Sequence, residues 1–236
     1  MTTTDKPLCI IAGVGPGNGM AVCRKFLEEG FKIAILSRNL QRMIDYAEEH
    51  EDISPYACDL ADPLSIEAVF SELISDLGAP TVVIYNAGSG LFGSAMEVSL
   101  ADFEQAWKLN ALGLLCVAKS TIPPMIKNNG GSLLITGATA SLRGGANFAA
   151  FSSAKAAQRN LSQSLARSLG SQGIHVALLI IDGIIDMPRA RELFPDMPQE
   201  LFIQPSAIAD TFYNLSQQSQ SAWTFEMDLR PSSETW

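Results

Sequence analysis

The stretch Ile10-Ile11-Ala12-Gly13-Val14-Gly15-Pro16-Gly17-Asn18-Gly19-Met20 constrains the fold more than any other part of the chain. An apolar run over 8–12 precedes the glycines and reads as a buried strand. Met20, Ala21, Val22, Phe26 and Leu27 recur behind them at helical spacing, and Gly30 supplies a stop. Strand, glycine loop and helix make the first half of a βαβ unit. Glycines let the backbone turn sharply and approach a ligand, and the helix N-terminus offers unpaired N–H groups to a phosphate. The placement therefore favours a dinucleotide pyrophosphate site over a tight turn with no ligand.

A chain of 236 residues, 47% apolar and 17% charged, holds one large α/β domain with a full core, spanning 1–236. Its net charge of -9 argues against a nucleic-acid partner and gives no reason to expect an anionic membrane. No secretory signal or apolar run of membrane-spanning length is read, so a cytoplasmic location is expected. The cysteines Cys9, Cys23, Cys58 and Cys116 lack metal-like spacing and read as reduced thiols. His50 and His175 are too few for a histidine metal site, and no metal is expected.

Further strands are expected over 31–36, 55–58, 81–85, 132–136, 175–181 and 223–229, with helices between them. The helices begin at recognisable signals. Asp62 precedes Pro63, and Ser99 precedes Asp102 by three residues. One helix is read from Ser99 through Val117 with Asn110 among apolar neighbours, and another over 148–169 with Lys155 near its start. The result is an α/β fold, a doubly wound parallel sheet of about seven strands, with a site along the C-terminal strand ends. Strand two ends at Ser37-Arg38, where an acidic residue would hold the ribose 2′-hydroxyl of NAD. A hydroxyl and a guanidinium suit a 2′-phosphate, so NADP(H) is favoured over NAD(H). Asp59 closes strand three, either as an acceptor for adenine or as a turn former. Residues 187–205, apolar and broken by prolines, read as a substrate lid, with Arg189 and Arg191 as candidates for an anionic group. Tyr85 and His175 read as structural.

Taken together, these landmarks resemble the short-chain dehydrogenase/reductase family over nearly the whole chain. The glycine motif matches Gly13, Gly17 and Gly19, and the adenine-side Asp matches Asp59. The Asn-Ala-Gly motif matches Asn86-Ala87-Gly88, the helix-four Asn matches Asn110, and Asp182-Gly183 stands for the usual Pro-Gly. The resemblance implies cofactor contacts from Gly13, Gly15, Gly17, Asn18, Gly19, Ser37, Arg38, Asp59, Leu60, Asn86, Ala87, Gly88, Lys155, Gly183 and Ile185. It implies catalytic roles for Lys155 and Asn110, a small-molecule substrate, and a homodimer or homotetramer packed through the fourth and fifth helices. The family's chemistry uses a Ser, a Tyr and a Lys, with the Tyr four residues before the Lys. Phe151 stands four residues before Lys155, and Ala138 stands where the Ser is expected. The pattern resembles an atypical subgroup with Phe in place of the Tyr, either an oxidoreductase with another proton source or an inactive NADP(H)-binding protein.

Overall fold

The computed structural model describes residues 6–39, 41–88 and 90–234, with only the backbone of Arg42. Leu40, expected to open a helix, Ser89 of the loop after strand four, and the first five residues lie outside the described residues. The first half runs β1 (Leu8–Ala12), α1 (Asn18–Glu28), β2 (Lys32–Ser37), α2 (Gln41–Glu48), β3 (Ile53–Ala57), α3 (Pro63–Leu77), β4 (Val82–Tyr85) and α4 (Leu100–Trp107). The second half runs α5 (Gly113–Lys127), β5 (Gly131–Ala138), α6 (Ala149–Leu169), β6 (Ile174–Ile181), β7 (Ile184–Ile185), α7 (Pro188–Leu193), β8 (Phe202–Ile203), α8 (Pro205–Ser216) and β9 (Glu226–Leu229).

Seven strands form one parallel sheet in the order β3-β2-β1-β4-β5-β6-β9. The order reverses between β1 and β4, the place where open α/β sheets part to admit a ligand. β1 shows why the strands read as unbroken apolar runs. Leu8, Ile10 and Ala12 enter the layer under α3 and α5, while Cys9 and Ile11 enter the opposite layer under α1 and α8. Phe70 anchors the first layer, and Phe26 and Phe212 the second, all fully buried. Each such ring contributes about 2–3 kcal/mol by leaving water. Pro55 lies inside β3 rather than at its start, and it is tolerated because β3 is the sheet edge, where a missing N–H costs no ladder bond.

Local signals account for the helix starts. Asp62 accepts from the Leu64 amide at 3.0 Å with Pro63 at the first helical position, and Ser99 accepts from the Asp102 amide at 3.0 Å. The helix expected to run on from Ser99 is interrupted. Residues Lys108–Leu112 form a π-helical turn between α4 and α5, which places Asn110 and Ala111 inside. With that turn, Leu100–Lys127 is a continuous helical rod long and apolar enough to cross a membrane by length and composition, unlike the sequence expectation. Half of its most apolar window is buried against the rest of the domain, as in a core helix. His175 is structural, as expected: its ring stacks on Trp223 at 5.0 Å and donates from Nε2 to the Thr224 carbonyl at 2.8 Å. The four cysteines are free thiols.

Gly113 opens α5 where it crosses the loop after β3. A Cβ there would lie 2.1 Å from the Leu60 carbonyl oxygen and 2.5 Å from the Tyr85 hydroxyl. Both atoms are backbone or fully buried, so neither yields easily. Gly113→Ala is expected to cost about 2–4 kcal/mol of stability, read as a lower urea midpoint. A wild-type midpoint would show that this crossing is loosely packed.

Candidate active site

A cleft of about 340 Å³ opens at the C-terminal ends of β1 to β4. Of the residues expected to hold a cofactor, Gly13, Gly15, Ser37, Arg38, Asp59, Leu60, Asn86, Ala87 and Gly88 line it. Val14, Leu36, Asn39, Cys58 and Leu109, not singled out in the sequence, complete the wall. A second hollow, about 550 Å³, is bordered by Leu27 and the run Glu48-Glu49-His50-Glu51-Asp52 ahead of β3. Its carboxylates repel phosphates, so the first cleft is the anion-compatible one.

The glycine loop works by close approach. Gly13 has φ +100, and a Cβ there would stand 2.7 Å from the Ala87 amide nitrogen. A Cβ on Gly19 would stand 2.7 Å from the Val14 Cα, so the loop folds tightly onto the start of α1. Gly15, by contrast, faces open space. Gly17 caps α1 with no side-chain bond and the first turn carries no acidic residue; the Met20 and Ala21 amides donate to the Gly15 and Gly17 carbonyls, so the Asn18 and Gly19 N–H groups are the ones left for a ligand. Asn18 and Gly19 are buried within that first turn. Met187, the first residue of the expected lid, rests over Gly17: its sulfur is 3.2 Å from where a Cβ would lie.

Asp59 forms the expected turn and borders the cleft. Its Oδ1 accepts from the Ala61 amide at 3.0 Å. The Ser37 hydroxyl accepts from the Asn39 amide at 3.3 Å, while Arg38 is exposed at the cleft edge. Asn86 donates from Nδ2 to the Gly13 carbonyl at 2.8 Å and accepts at Oδ1 from the Thr136 hydroxyl at 2.9 Å. That single amide fastens the ends of β1, β4 and β5 together.

Lys155 and Asn110 lie behind Gly88. A Cβ on Gly88 would be 3.4 Å from Asn110 Oδ1 and 3.5 Å from Lys155 Nζ. The amine donates to the Thr136 carbonyl at 2.7 Å and to Gln158 Oε1 at 2.9 Å. Burial pushes it down to about 7 from an ordinary 10.5. Asn110 donates from Nδ2 to the Ala106 carbonyl at 2.9 Å, while its buried Oδ1 has no partner among the described residues. A buried acceptor without a donor and an amine behind Gly88, with the glycine loop lining the cleft in front of it, fit a nucleotide cofactor with its hydroxyls and phosphates. Gln158, fully buried and bonded to both Lys155 and the Asn110 carbonyl, was not anticipated. Its signal was a lone amide one turn after Lys155 on the same helix face.

Gly183 and Ile185 stand apart from the cleft lining, where the chain leaves β6. Asp182 accepts from the Thr139 hydroxyl at 2.5 Å and pairs with Arg230 at 3.3 Å, bracing that exit against the C-terminal segment. The segment over 187–205 folds back on itself. Asp186 takes both Nε and Nη2 of Arg191, at 2.7 and 2.9 Å, together with the amides of Gln199 and Gln204. These donors hold its carboxyl well below the usual carboxylate range. Arg191, a candidate for a substrate anion, is thus committed internally, and its guanidinium lies 3.9 Å above the Phe202 ring. Tyr85 is core, donating to the Leu109 carbonyl.

The family model for short chain dehydrogenase matches residues 8–198. The chain belongs to the short-chain dehydrogenase family. Among relatives of this family, the 7alpha-hydroxysteroid dehydrogenase of Escherichia coli is 25% identical over 201 residues, covering 84% of this chain and 78% of that protein. A short-chain dehydrogenase structure from Rhodopseudomonas palustris is 31% identical with a TM-score of 0.82, covering 95% of this chain and 98% of that one. The L-sorbose reductase of Gluconobacter frateurii, solved with NADPH and L-sorbose, shares the fold with a TM-score of 0.88 at 22% identity, covering 96% of each chain.

Within this short-chain dehydrogenase, the positions expected to carry a serine and a tyrosine are apolar. Ala138 ends β5, and Phe151 lies in the first turn of α6, one turn before Lys155. Phe148, three residues earlier, packs edge to face on Phe92 at 5.2 Å. Neither expected position therefore offers a hydroxyl beside Lys155, which is itself buried.

Burying Lys155 has a thermodynamic signature. Its folded pKa is depressed, so the burial cost is complete below pH 7 and fades as pH rises toward the unfolded value of about 10.5. The stability of Lys155→Met relative to wild type is expected to fall between pH 7 and pH 8.5, as the wild type sheds the cost of burying the amine. Paired urea titrations at the two pH values measure this; a difference independent of pH would mean the amine stays charged in the fold.

Proposed function

We propose that this chain is an NADP(H)-dependent oxidoreductase acting on a small, apolar carbonyl or related substrate, with a non-standard proton donor. The observation that carries the reading is the join of Ser37 and Arg38 to the glycine-loop cleft, with no acidic residue at the end of β2 to select a bare ribose hydroxyl. On this reading the α1 N-terminus and glycine loop take the pyrophosphate, Arg38 the 2′-phosphate, Asp59 the adenine side, and Lys155 with Asn110 the inner ribose. Gly183 and Ile185 border the nicotinamide end. NADPH, when bound, supplies the hydride. Reducing a carbonyl also requires a proton on oxygen, and neither Phe151 nor Ala138 has one to give. Lys155 or water admitted beneath the 187–205 lid then fills that role. Phe151 in place of the Tyr with Lys155 retained supports assigning the chain to an atypical subgroup of the family.

The same pair of substitutions supports a second reading, an inactive NADP(H)-binding protein with a structural or sensing role. Losing both hydroxyls together leaves no buried hydroxyl stranded, so the apolar site is self-consistent. The exposed Phe103, Trp107 and Leu115 on the rod Leu100–Lys127, the fourth helix of the sequence reading, support a homodimer or homotetramer packed through it and through α6, the fifth. Reduced thiols are consistent with a cytoplasmic setting.

Two measurements divide these possibilities. Arg38→Ala is expected to weaken NADPH binding by about tenfold or more while leaving NADH binding unchanged, read by calorimetry. Equal losses for both cofactors would remove Arg38 as the selector. Transfer of deuteride from labelled NADPH to members of a ketone and aldehyde panel is expected for the wild type, with faster turnover by the Ala138→Ser/Phe151→Tyr double variant. Tight NADPH binding with no transfer by the wild type would favour the binding protein.

A further inference from the structure

Lys155 is held in place without a phenol or a carboxylate. Its two bonds go to neutral acceptors, the Thr136 carbonyl and the Gln158 amide oxygen. The amide orientation is forced. The Asn110 carbonyl only accepts, so Gln158 Nε2 must donate to it at 3.1 Å, and Oε1 is left for the Lys155 amine. Gln158 is fully buried, and Ser162 donates to its own carbonyl at 2.8 Å, which fixes the turn that carries it. The groups facing the amine are Thr136 from β5, Asn110 from the π turn, Gly88 from the loop after β4, and Gln158 from α6. None of these is charged, and burial is the only cause acting on the amine.

We propose that Gln158 is a positioning residue for the cleft: its side-chain amide aims the Lys155 amine at the space beside Gly88 and couples it to the π turn that carries Asn110. The value of this aim to NADP(H) rests on the cofactor reading above; the aim itself does not. A long, flexible lysine side chain loses rotamer freedom when ordered, and a rigid acceptor already in place lowers the further cost of engaging a ligand. An amide also leaves the choice of protonation to whatever enters the cleft, because it accepts from amine and ammonium alike. A carboxylate at the same place would keep the lysine permanently charged.

Two near-isosteric variants test this. Gln158→Met removes the acceptor while filling the space, and Gln158→Glu keeps an acceptor but adds charge. In the cofactor-free protein, the titration of Lys155, followed by NMR of 13C-labelled lysine, is expected to move to lower pH in Gln158→Met. It should move up by about one unit or more in Gln158→Glu. NADPH binding should weaken about tenfold in Gln158→Met and be restored in Gln158→Glu, with the pH above which binding declines shifted in the same directions. A glutamine that only fills space leaves the Lys155 midpoint unchanged in Gln158→Met, and that result would overturn the proposal. If Gln158→Met fails to fold, Gln158→Asn decides: its shorter amide draws the acceptor back from the amine, and an unshifted Lys155 midpoint there would overturn the proposal. A wild type that binds no NADPH would defeat the cofactor reading alone, since the lysine titration judges Gln158 without any cofactor.

Discussion

The molecule turns on Asn86. Its amide reaches back to the Gly13 carbonyl and across to the Thr136 hydroxyl, joining the ends of three strands where the sheet parts. A parallel sheet must stop pairing at its switch point, so the backbone groups there need other partners. Asn86 supplies them with both halves of its side chain. The glycine loop can then sit against Ala87 with no side chain between, and Thr136 keeps its own carbonyl directed at Lys155. The cleft is open because that one amide is satisfied.

Behind Gly88 lies a polar cluster, Lys155, Gln158 and Asn110, all buried and linked by hydrogen bonds. The two positions expected to carry hydroxyls, Ala138 at the end of β5 and Phe151 in the first turn of α6, are apolar. An unpaired buried polar group costs about 1–3 kcal/mol, so a site can shed hydroxyls only if it sheds their partners as well. Alanine and phenylalanine at the two expected hydroxyl positions meet that condition. The polar cluster is linked by its own bonds, with Asn110 Oδ1 left as its one acceptor without a partner among the described residues.

Much of this was legible in the residues themselves. β1 is where the apolar run before the glycines put it, and Asp62 and Ser99 cap the helices they announce. Nine of the expected cofactor residues line one cleft because strand C-termini converge in any doubly wound sheet. What escaped notice was set by tertiary contact. The π turn at Lys108–Leu112 has no local signature, since periodicity spreads over whole helices and a single wide turn hides within it. Gln158 reads as a surface residue until Lys155 and the Asn110 carbonyl are seen on either side of it. Arg191 looked available because nothing in a linear chain shows that Asp186 will return to claim it.

The ring of bonds around Asp186 has a consequence for how such a protein diversifies. The Asp186 amide donates to the Ile203 carbonyl at 2.9 Å, Ile185 pairs with Ile203, and Gln204 reaches the same carboxylate at 3.1 Å. The two ends of the segment therefore meet and are stitched together at its base. A loop closed at its neck behaves as a cassette: its tip can lengthen, shorten or change character while the frame feels only the neck, and closing a longer loop costs little more than closing a short one. The segment can be rewritten there without asking anything new of the sheet.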